Sequence, residues 1–428
     1  MKSRNKSLGP VSLWRKANER DRRKRLGIKG VLSFILVLSL FGLGACNFDV
    51  VDPTRLTDED IEGDAMMSAL VVGAITSYDG AYDRLVMISG LLSDELIASG
   101  SWNGWHQADK QGVFNLFDSE SDHINIPWIT WRWLARARAV ADETYELIQE
   151  EFPDSYNSDP RAALMRLYSG AALTNFAENF CQAAYDGGPV VERPESFAMA
   201  RDRLEEAIQI AQVSGADSII ERAHLVLARV HLGLGDLAAA MAAAREVPKG
   251  MNWVAHFRDA PGERSYFWNN NADRGESSVD PRFRNTDPRT PAENQNRAGP
   301  DGETTVWAQL KYPNYNSDMI IGNWKEARLI EAEVLLESND VTGAIALMNE
   351  VREDSGLEPF PAGLSKEEAV ANLKEERAFE LWLQARRYYD MQRWDEFPPD
   401  WGSTCIPISR EEKDSNPNLR DIQLEGWP

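Results

Sequence analysis

Apolar residues recur at helical spacing through most of the chain beyond residue 64. Behind Asp159 and Pro160, for example, Leu164 and Leu167 begin an apolar stripe of that spacing. An aspartate oxygen can cap the free N–H groups of a helix, and proline is favoured at the first helical position. A helix is therefore predicted to begin at Pro160, and the next one is predicted to open at Ser196.

Two segments each show a pair of apolar helical stretches around a short polar turn, residues 222–248 and residues 324–352. Small residues stand twelve positions apart in both pairs, where two helices must approach closely: Ala228 with Ala240, and Ala332 with Ala344. Repeated hairpins of this kind are typical of tetratricopeptide-like units. The sequence thus predicts an all-α scaffold of helical hairpins over about 126–250 and 322–396, with an ordinary helical bundle as the alternative.

The helical pattern is interrupted in two regions, about residues 98–127 and 251–320, which are rich in Gly, Pro, Asn and aromatic residues. A segment this long without helical periodicity inside a compact body is usually a functional surface or a disordered stretch. The aromatic residues favour order. We therefore expect long loop insertions on the helical scaffold that form a ligand surface.

The first 45 residues have the pattern of an export signal. Residues 1–30 hold eleven Lys or Arg against two acidic residues, and thirteen uncharged residues follow from Val31 to Leu43. A membrane-spanning helix needs roughly 20 apolar residues, so this run is too short to span a bilayer. Leu43-Gly44-Ala45-Cys46 is similar to a lipobox, which predicts a signal peptide over 1–45 and a lipid on Cys46. Cleavage beside an incidental cysteine is the alternative.

Removal of the signal peptide leaves 35 basic and 66 acidic side chains, a formal net charge of −31. Such a polyanion repels phosphate backbones and anionic lipid surfaces, which argues against nucleic-acid binding and against membrane adsorption by charge. Attachment to a membrane would depend on acyl chains at Cys46. Residues 46–64 are then an acidic tether and 65–428 the folded body. Cys181 and Cys405 could form one bridge, and the sequence leaves their pairing open.

Nothing in the sequence favours catalysis. The chain contains five histidines, and it lacks the HExxH, paired CxxC and GxSxG patterns. His224 and His231 are seven residues apart on one helix, too far to hold a metal ion together. Carboxylate pairs such as Asp94-Glu95 carry no information in so acidic a chain. We predict a protein without enzymatic activity, cofactor or metal.

Binding of a sugar is better supported, because an aromatic ring offers a flat apolar face to a sugar ring and neighbouring amides can bind hydroxyl groups. The stretch GSWNGW presents Trp102, Asn103 and Trp105 between glycines, which predicts both rings outward and little effect of their removal on the melting temperature. Packing within the loop is the alternative. Further candidates lie in the second irregular region: Trp268, Trp307, Tyr312 and Tyr315.

The helix predicted from Ser365 to Trp394 begins with a capping box and contains EERAFELWLQARRYYDMQRW. This stretch resembles the C-terminal signature of the SusD/RagB family, with Gln384-Ala385 where the family often has an acid and a glycine. We expect Arg377 to pair with Glu380. Core positions are predicted for three tryptophans at helical spacing: Trp131, Trp382 and Trp394.

The resemblance to the SusD/RagB family implies a non-catalytic lipoprotein on the outer membrane. It would bind a nutrient, an oligosaccharide in most of the family, and deliver it to a TonB-dependent SusC-like transporter. The alternative function is that of a tetratricopeptide scaffold lipoprotein, which binds other proteins of the cell envelope.

Overall fold

The computed structural model describes residues 63–109, 126–399, 401 and 404–426. The predicted signal peptide, Cys46 and nearly all of the acidic tether lie outside these residues. Within them, no helix combines the length and the apolar character that a bilayer crossing requires.

Helices dominate the described residues. In chain order they are α1 Asp64–Leu91, α2 Asn103–Ala108, α3 Ile126–Glu151, α4 Pro160–Asn179, α5 Arg193–Ser214, α6 Asp217–Gly233, α7 Leu237–Arg245, α8 Tyr266–Trp268, α9 Trp324–Glu337, α10 Val341–Asp354, α11 Lys366–Glu380, α12 Arg387–Arg393 and α13 Arg410–Ser415. The prediction of an all-α scaffold is confirmed.

Both predicted hairpins are present, as α6 with α7 and α9 with α10. The side chains of Asp236 and Asp340 cap the second helix of each hairpin by accepting hydrogen bonds from backbone N–H groups. The alanines at the two helix crossings are completely buried: Ala228, Ala240, Ala332 and Ala344. Small side chains at these positions let the paired helices pack closely, as the sequence predicted.

The predicted start of α4 is confirmed, with Asp159 accepting a hydrogen bond from the Arg161 N–H. The prediction for α5 is wrong, because this helix begins at Arg193 rather than at Ser196. Proline in its first turn provides the start. Ser196 is buried inside that turn, where the Tyr185 hydroxyl donates a hydrogen bond to its Oγ.

Residues 251–320 form an ordered insertion that contains short strands, which the sequence did not predict. The strands of the described chain are β1 Leu96–Ala98, β2 Gln182–Ala183, β3 Val191–Glu192, β4 Asn252–Ala255, β5 Ser277–Val279, β6 Ala292–Ala298, β7 Thr305–Gln309 and β8 Met319–Asn323. They pair antiparallel as β1–β5, β2–β3, β4–β8 and β6–β7. Runs this short show too little alternation to be recognised from sequence.

The predicted helix from Ser365 to Trp394 is interrupted. Its capping box is present, but α11 ends at Glu380 and α12 begins at Arg387. Between them Leu383 and Ala385 adopt positive φ angles of 54° and 56°, which a right-handed helix cannot contain. Ala385 adopts such an angle although glycine is the residue that does so at least cost.

Side chains from distant parts of the chain satisfy the carbonyl groups of this break. Lys311 Nζ donates to the Trp382 carbonyl at 2.6 Å, and the Tyr312 hydroxyl donates to the Leu383 carbonyl at 3.1 Å. The Tyr82 hydroxyl donates to the Gln384 carbonyl at 2.9 Å. The break is therefore a fixed junction between α1, the insertion and the C-terminal helices.

Buried ion pairs connect the helices around this junction. Arg377 binds Asp390 at 2.8 and 2.9 Å, so the predicted pair with Glu380 is wrong: the helix break brings α12 back against α11. Two further buried pairs join distant helices, Arg386 with Glu178 and Arg229 with Glu326. The core positions predicted for Trp131 and Trp382 are confirmed, and Trp394 is partly buried, with its Nε1 3.3 Å from a Glu333 oxygen.

A disulfide bond joins Cys181 to Cys405. It attaches the C-terminal segment to the end of α4, where Phe180 and Ile406 also form a parallel bridge. The cysteine pairing that the sequence left open is thus formed in the structure.

Candidate functional site

The two tryptophans of GSWNGW have opposite environments. Trp102 precedes α2 and is 41% exposed, whereas Trp105 lies within α2 and is 1% exposed. The expectation that both rings point outward is therefore wrong for Trp105. Its ring packs so close to Gly100 that a Cβ there would lie 2.6 Å from Trp105 Cδ1, so the glycine provides the space in which Trp105 is buried. The side chain of Asn103 lies outside the described part of the structure.

Trp102 has an arginine beside it. The guanidinium carbon of Arg274 lies 5.7 Å from the centre of the Trp102 ring, and Arg274 also pairs with Glu276 at 2.6 Å. The charge of Arg274 also acts on Tyr266: burial raises the pKa of Tyr266, and the charges of Arg84 and Arg274 act in the opposite direction. Arg84 and Arg274 are thus the two cations whose charges act on Tyr266.

A second arginine contacts the rings of Trp133 and Tyr266. Arg84, on α1, lies 3.8 Å from the ring centre of Trp133 and 4.6 Å from that of Tyr266. All three side chains are partly exposed. We call Trp102, Trp133, Tyr266, Arg84 and Arg274 together the aromatic–arginine surface.

The buried carboxylate of Asp83 fixes the position of Tyr266. It accepts hydrogen bonds from Ser265 Oγ at 3.0 Å, from the Phe267 N–H at 2.9 Å and from the Tyr266 N–H. Burial raises the pKa of Asp83 to about 6, although these hydrogen bonds favour the charged form. Helix α1 therefore supplies both the ring contact of Arg84 and the anchor of the turn that carries Tyr266.

Trp268 and Tyr315 form a separate aromatic pair. Their ring centres are 5.3 Å apart in an edge-to-face arrangement, and Trp268 Nε1 donates to the Pro313 carbonyl at 3.0 Å. Arg264 lies 4.5 Å from the Tyr315 ring centre and is paired with Asp259 at 2.6 Å. Both rings are partly exposed, so they are available as a second contact area.

The remaining two candidates differ from each other. Trp307 is partly exposed and has Arg284 5.2 Å from its ring centre. Tyr312 is 3% exposed and its hydroxyl is used at the helix break, so the structure does not present it to a ligand. The burial of Tyr312 and the structural partner of its hydroxyl argue against its candidacy as a ligand contact.

Sequence reasoning missed Arg84, Trp133 and Arg274. Trp133 stands two residues after Trp131, which places the two rings on different faces of one helix, and Arg84 belongs to the long apolar helix α1. A usable signal was the number of arginines among the aromatic residues of the insertion. That signal could have identified Arg274, but it could not have identified Arg84 or Trp133.

Among the described residues, one grouping has the spacing of metal ligands: Cys181, Cys405 and Glu425. Both sulfur atoms belong to the disulfide bond, so this grouping offers no thiolate to a metal ion.

In a comparison with known protein families, residues 264–410 match the sequence model described as the SusD family. This match agrees with the SusD/RagB resemblance that the C-terminal signature predicted, and that resemblance is confirmed. The matched region contains Tyr266 and Arg274, whereas Arg84, Trp102 and Trp133 precede it.

Solved structures of SusD-like proteins have the same fold. A SusD superfamily protein from Bacteroides vulgatus is 14% identical, with a TM-score of 0.62 over 85% of this chain and 99% of that one. A laminarin-binding SusD-like protein is 16% identical, with a TM-score of 0.67 over 86% of this chain and 100% of that one. Surface glycan-binding protein A from Bacteroides uniformis is 15% identical, with a TM-score of 0.60 over 86% and 100%. No curated protein matches this sequence.

Proposed function

We propose that this protein is a non-catalytic surface lipoprotein that binds an oligosaccharide at the aromatic–arginine surface. The observation that carries the proposal is the exposed ring of Trp102, with the guanidinium of Arg274 beside it. A sugar ring fits the flat face of a tryptophan. The guanidinium beside the ring is suited to bind hydroxyl groups.

Two of the structurally similar proteins support this proposal, since one binds laminarin and another is a surface glycan-binding protein. The low sequence identity shows a shared fold, and the ligand of this chain therefore has to be tested directly. A tetratricopeptide scaffold would bind proteins and would not need an exposed tryptophan flanked by arginines.

The rest of the proposal concerns location and partner. The lipobox-like sequence at Cys46 would anchor the protein to the outer membrane, and the similarity to the SusD family makes a TonB-dependent SusC-like transporter the proposed recipient of the oligosaccharide. A Cys46→Ala variant should be released from membranes in soluble form. Purification of the wild-type protein from detergent-solubilised membranes should recover a TonB-dependent barrel, and recovery of soluble envelope proteins alone would favour the scaffold function.

The binding site is tested by isothermal titration of the mature protein against an oligosaccharide panel. Trp102→Ala should weaken binding of the best ligand roughly tenfold, since an aromatic contact of about 1.4 kcal/mol corresponds to that factor. Val213→Ala removes another exposed apolar side chain, at the end of α5, and should leave affinity unchanged. Unchanged affinity of Trp102→Ala would move the site to Trp268 and Tyr315 or elsewhere.

A further inference from the structure

Arg84 retains unused hydrogen-bonding capacity in the described structure. A guanidinium has five N–H donors in its own plane. Of these, the Nη1 group donates to the Gly80 carbonyl at 2.8 Å, and no other hydrogen bond of Arg84 is formed with the described residues. A guanidinium that stacks on aromatic rings keeps its in-plane donors available. Arg84 is therefore held in place by Trp133 and Tyr266 while its remaining donors can meet an acceptor.

The charge of Arg84 is not matched by an ion pair within the described residues. Its neighbour Asp83 is the nearest carboxylate in sequence, but the oxygens of Asp83 accept hydrogen bonds from Ser265, Tyr266 and Phe267. The charge of Asp83 still favours the guanidinium, so what Arg84 lacks within the described chain is a carboxylate hydrogen-bonded to it. A negatively charged ligand group would supply the missing partner.

Arginines also accompany the other exposed rings. Arg274 lies by Trp102 and Arg284 by Trp307. Arg284 donates from Nε to the Val279 carbonyl at 2.8 Å and forms no ion pair with described residues. The distances are within the range of cation–π contacts. The rings that would contact a sugar are thus bordered by cations.

The distribution of charge along the sequence agrees with this arrangement. Residues 251–320 contain eight Lys or Arg and ten Asp or Glu, whereas the mature chain as a whole carries a formal charge of −31. The insertion is almost neutral on an acidic body. Because charges more than about 8 Å apart are largely screened at physiological salt, nearby arginines matter more to a bound anion than the net charge of the protein.

We infer that the oligosaccharide bound at the aromatic–arginine surface is acidic, and that Arg84 binds its carboxylate or sulfate oxygens. This inference rests on the proposed function and specifies its ligand class. Arginine suits the task because its planar fork can donate two parallel hydrogen bonds to a carboxylate or a sulfate, which a neutral sugar cannot match. The carboxylate would come from a uronic acid and the sulfate from a sulfate ester.

The test uses the mature protein on an array of oligosaccharides in matched sets: a neutral sugar chain, the same chain with uronic acids, and the same chain with sulfate esters. Titration calorimetry then gives the affinities. We expect one of the two acidic members to bind roughly tenfold or more tightly than its neutral counterpart, and the set in which this occurs distinguishes carboxylate from sulfate. Equal or tighter binding of the neutral chain would overturn the inference while the proposed function stands. Absence of binding to every member would contradict the proposed function itself.

Variants connect the charge preference to Arg84. Arg84→Gln should reduce affinity for the acidic chain to that of the neutral chain, which itself should be unaffected, and Arg84→Lys should restore part of the difference. Arg264→Gln is the matched control, because Arg264 also lies on an aromatic ring but is paired with Asp259. Equal losses for acidic and neutral chains in Arg84→Gln would show that Arg84 does not recognise charge.

Salt dependence of the wild-type protein provides a measurement that needs no variant. Raising the salt concentration from about 0.05 to 0.5 M should weaken binding of the acidic chain and leave binding of the neutral chain nearly constant, because ionic contacts at a partly exposed site are screened. An affinity for the acidic chain that does not change with salt concentration would contradict a role for the arginine charge.

Discussion

In the helical scaffold, buried arginines face carboxylates. Arg386 Nη1 lies 2.7 Å from both oxygens of Glu178, and Arg377 binds both oxygens of Asp390. At the aromatic–arginine surface, Arg84 instead lies against the rings of Trp133 and Tyr266 and forms no ion pair with the described residues. Arg377 and Arg386 thus have carboxylate partners, whereas Arg84 has ring contacts.

This difference separates stability from recognition. A buried ion pair whose donors are used holds two helices at a fixed distance, but it leaves nothing for a ligand. An arginine fixed by ring contacts has an equally defined position and keeps donors unused. The C-terminal signature, which contains Arg377, Arg386 and Asp390, therefore serves the scaffold. The proposed recognition surface draws on α1, α3, the segment before α2 and the insertion.

Breaking a scaffold pair should have the largest effect. Arg386→Leu leaves the carboxylate of Glu178 buried without a partner, which should lower the free energy of unfolding by about 3–5 kcal/mol in urea denaturation. Arg132→Leu removes an arginine from an exposed pair with Glu411 and should cost at most about 1 kcal/mol. Similar costs for the two variants would remove the distinction between buried and exposed pairs.

The two tryptophans of GSWNGW allow stability and ligand affinity to be compared within six residues of sequence. Trp105→Ala should lower the free energy of unfolding by about 3 kcal/mol, because it empties a site enclosed by the protein. Trp102→Ala should change stability little and affect ligand affinity instead. Thermal and urea unfolding, together with titration of the best oligosaccharide, measure both effects. A stable Trp105→Ala protein with lost binding would return Trp105 to the ligand surface.

Glu95 is a buried carboxyl group of the scaffold whose ionisation should make the stability of the protein depend on pH. It is completely buried, has one oxygen hydrogen-bonded to the Leu383 N–H at 2.8 Å, and burial raises its pKa to about 8. Because this pKa is higher in the folded than in the unfolded chain, the protonated group stabilises the fold at low pH, and the stabilisation is lost as the pH rises through 8.

Between pH 7 and 8 the wild-type protein should therefore lose on the order of 1 kcal/mol relative to Glu95→Gln, which does not titrate. Urea denaturation at both pH values measures this difference. Asp79 and Asp83, whose pKa values burial raises to about 7 and 6, titrate in both proteins and cancel in the comparison. Parallel pH profiles would show that Glu95 is ionised throughout.

Local signals predicted the scaffold well. The alanines at the hairpin crossings, the Asp159 cap and the capping box at Ser365 act within a few residues of themselves, and the structure contains all of them. The strands were missed because they pair with segments far away in sequence, as Leu96 does with Val279. The local sequence of a strand does not indicate such a partner.

The candidate site was predicted in part for the same reason. Trp102 is exposed as expected, since its position before a helix depends on nearby glycines. Arg84 contacts the rings of Trp133 and Tyr266, which lie far from it in sequence. No local sequence pattern indicates these contacts. The partner of Arg377 was wrong because it depends on the helix break at Leu383 and Ala385.

The bond between Cys181 and Cys405 joins cysteines 224 positions apart. In a reducing cytoplasm these thiols stay separate, and oxidation waits for an exported compartment. Closing a loop of this length removes conformational freedom from the unfolded chain that corresponds to roughly 5 kcal/mol. For an exported protein, the polypeptide would be easiest to unfold while it is threaded through the translocation channel. It would gain its full resistance to unfolding, and to the proteases that attack open chains, only after delivery.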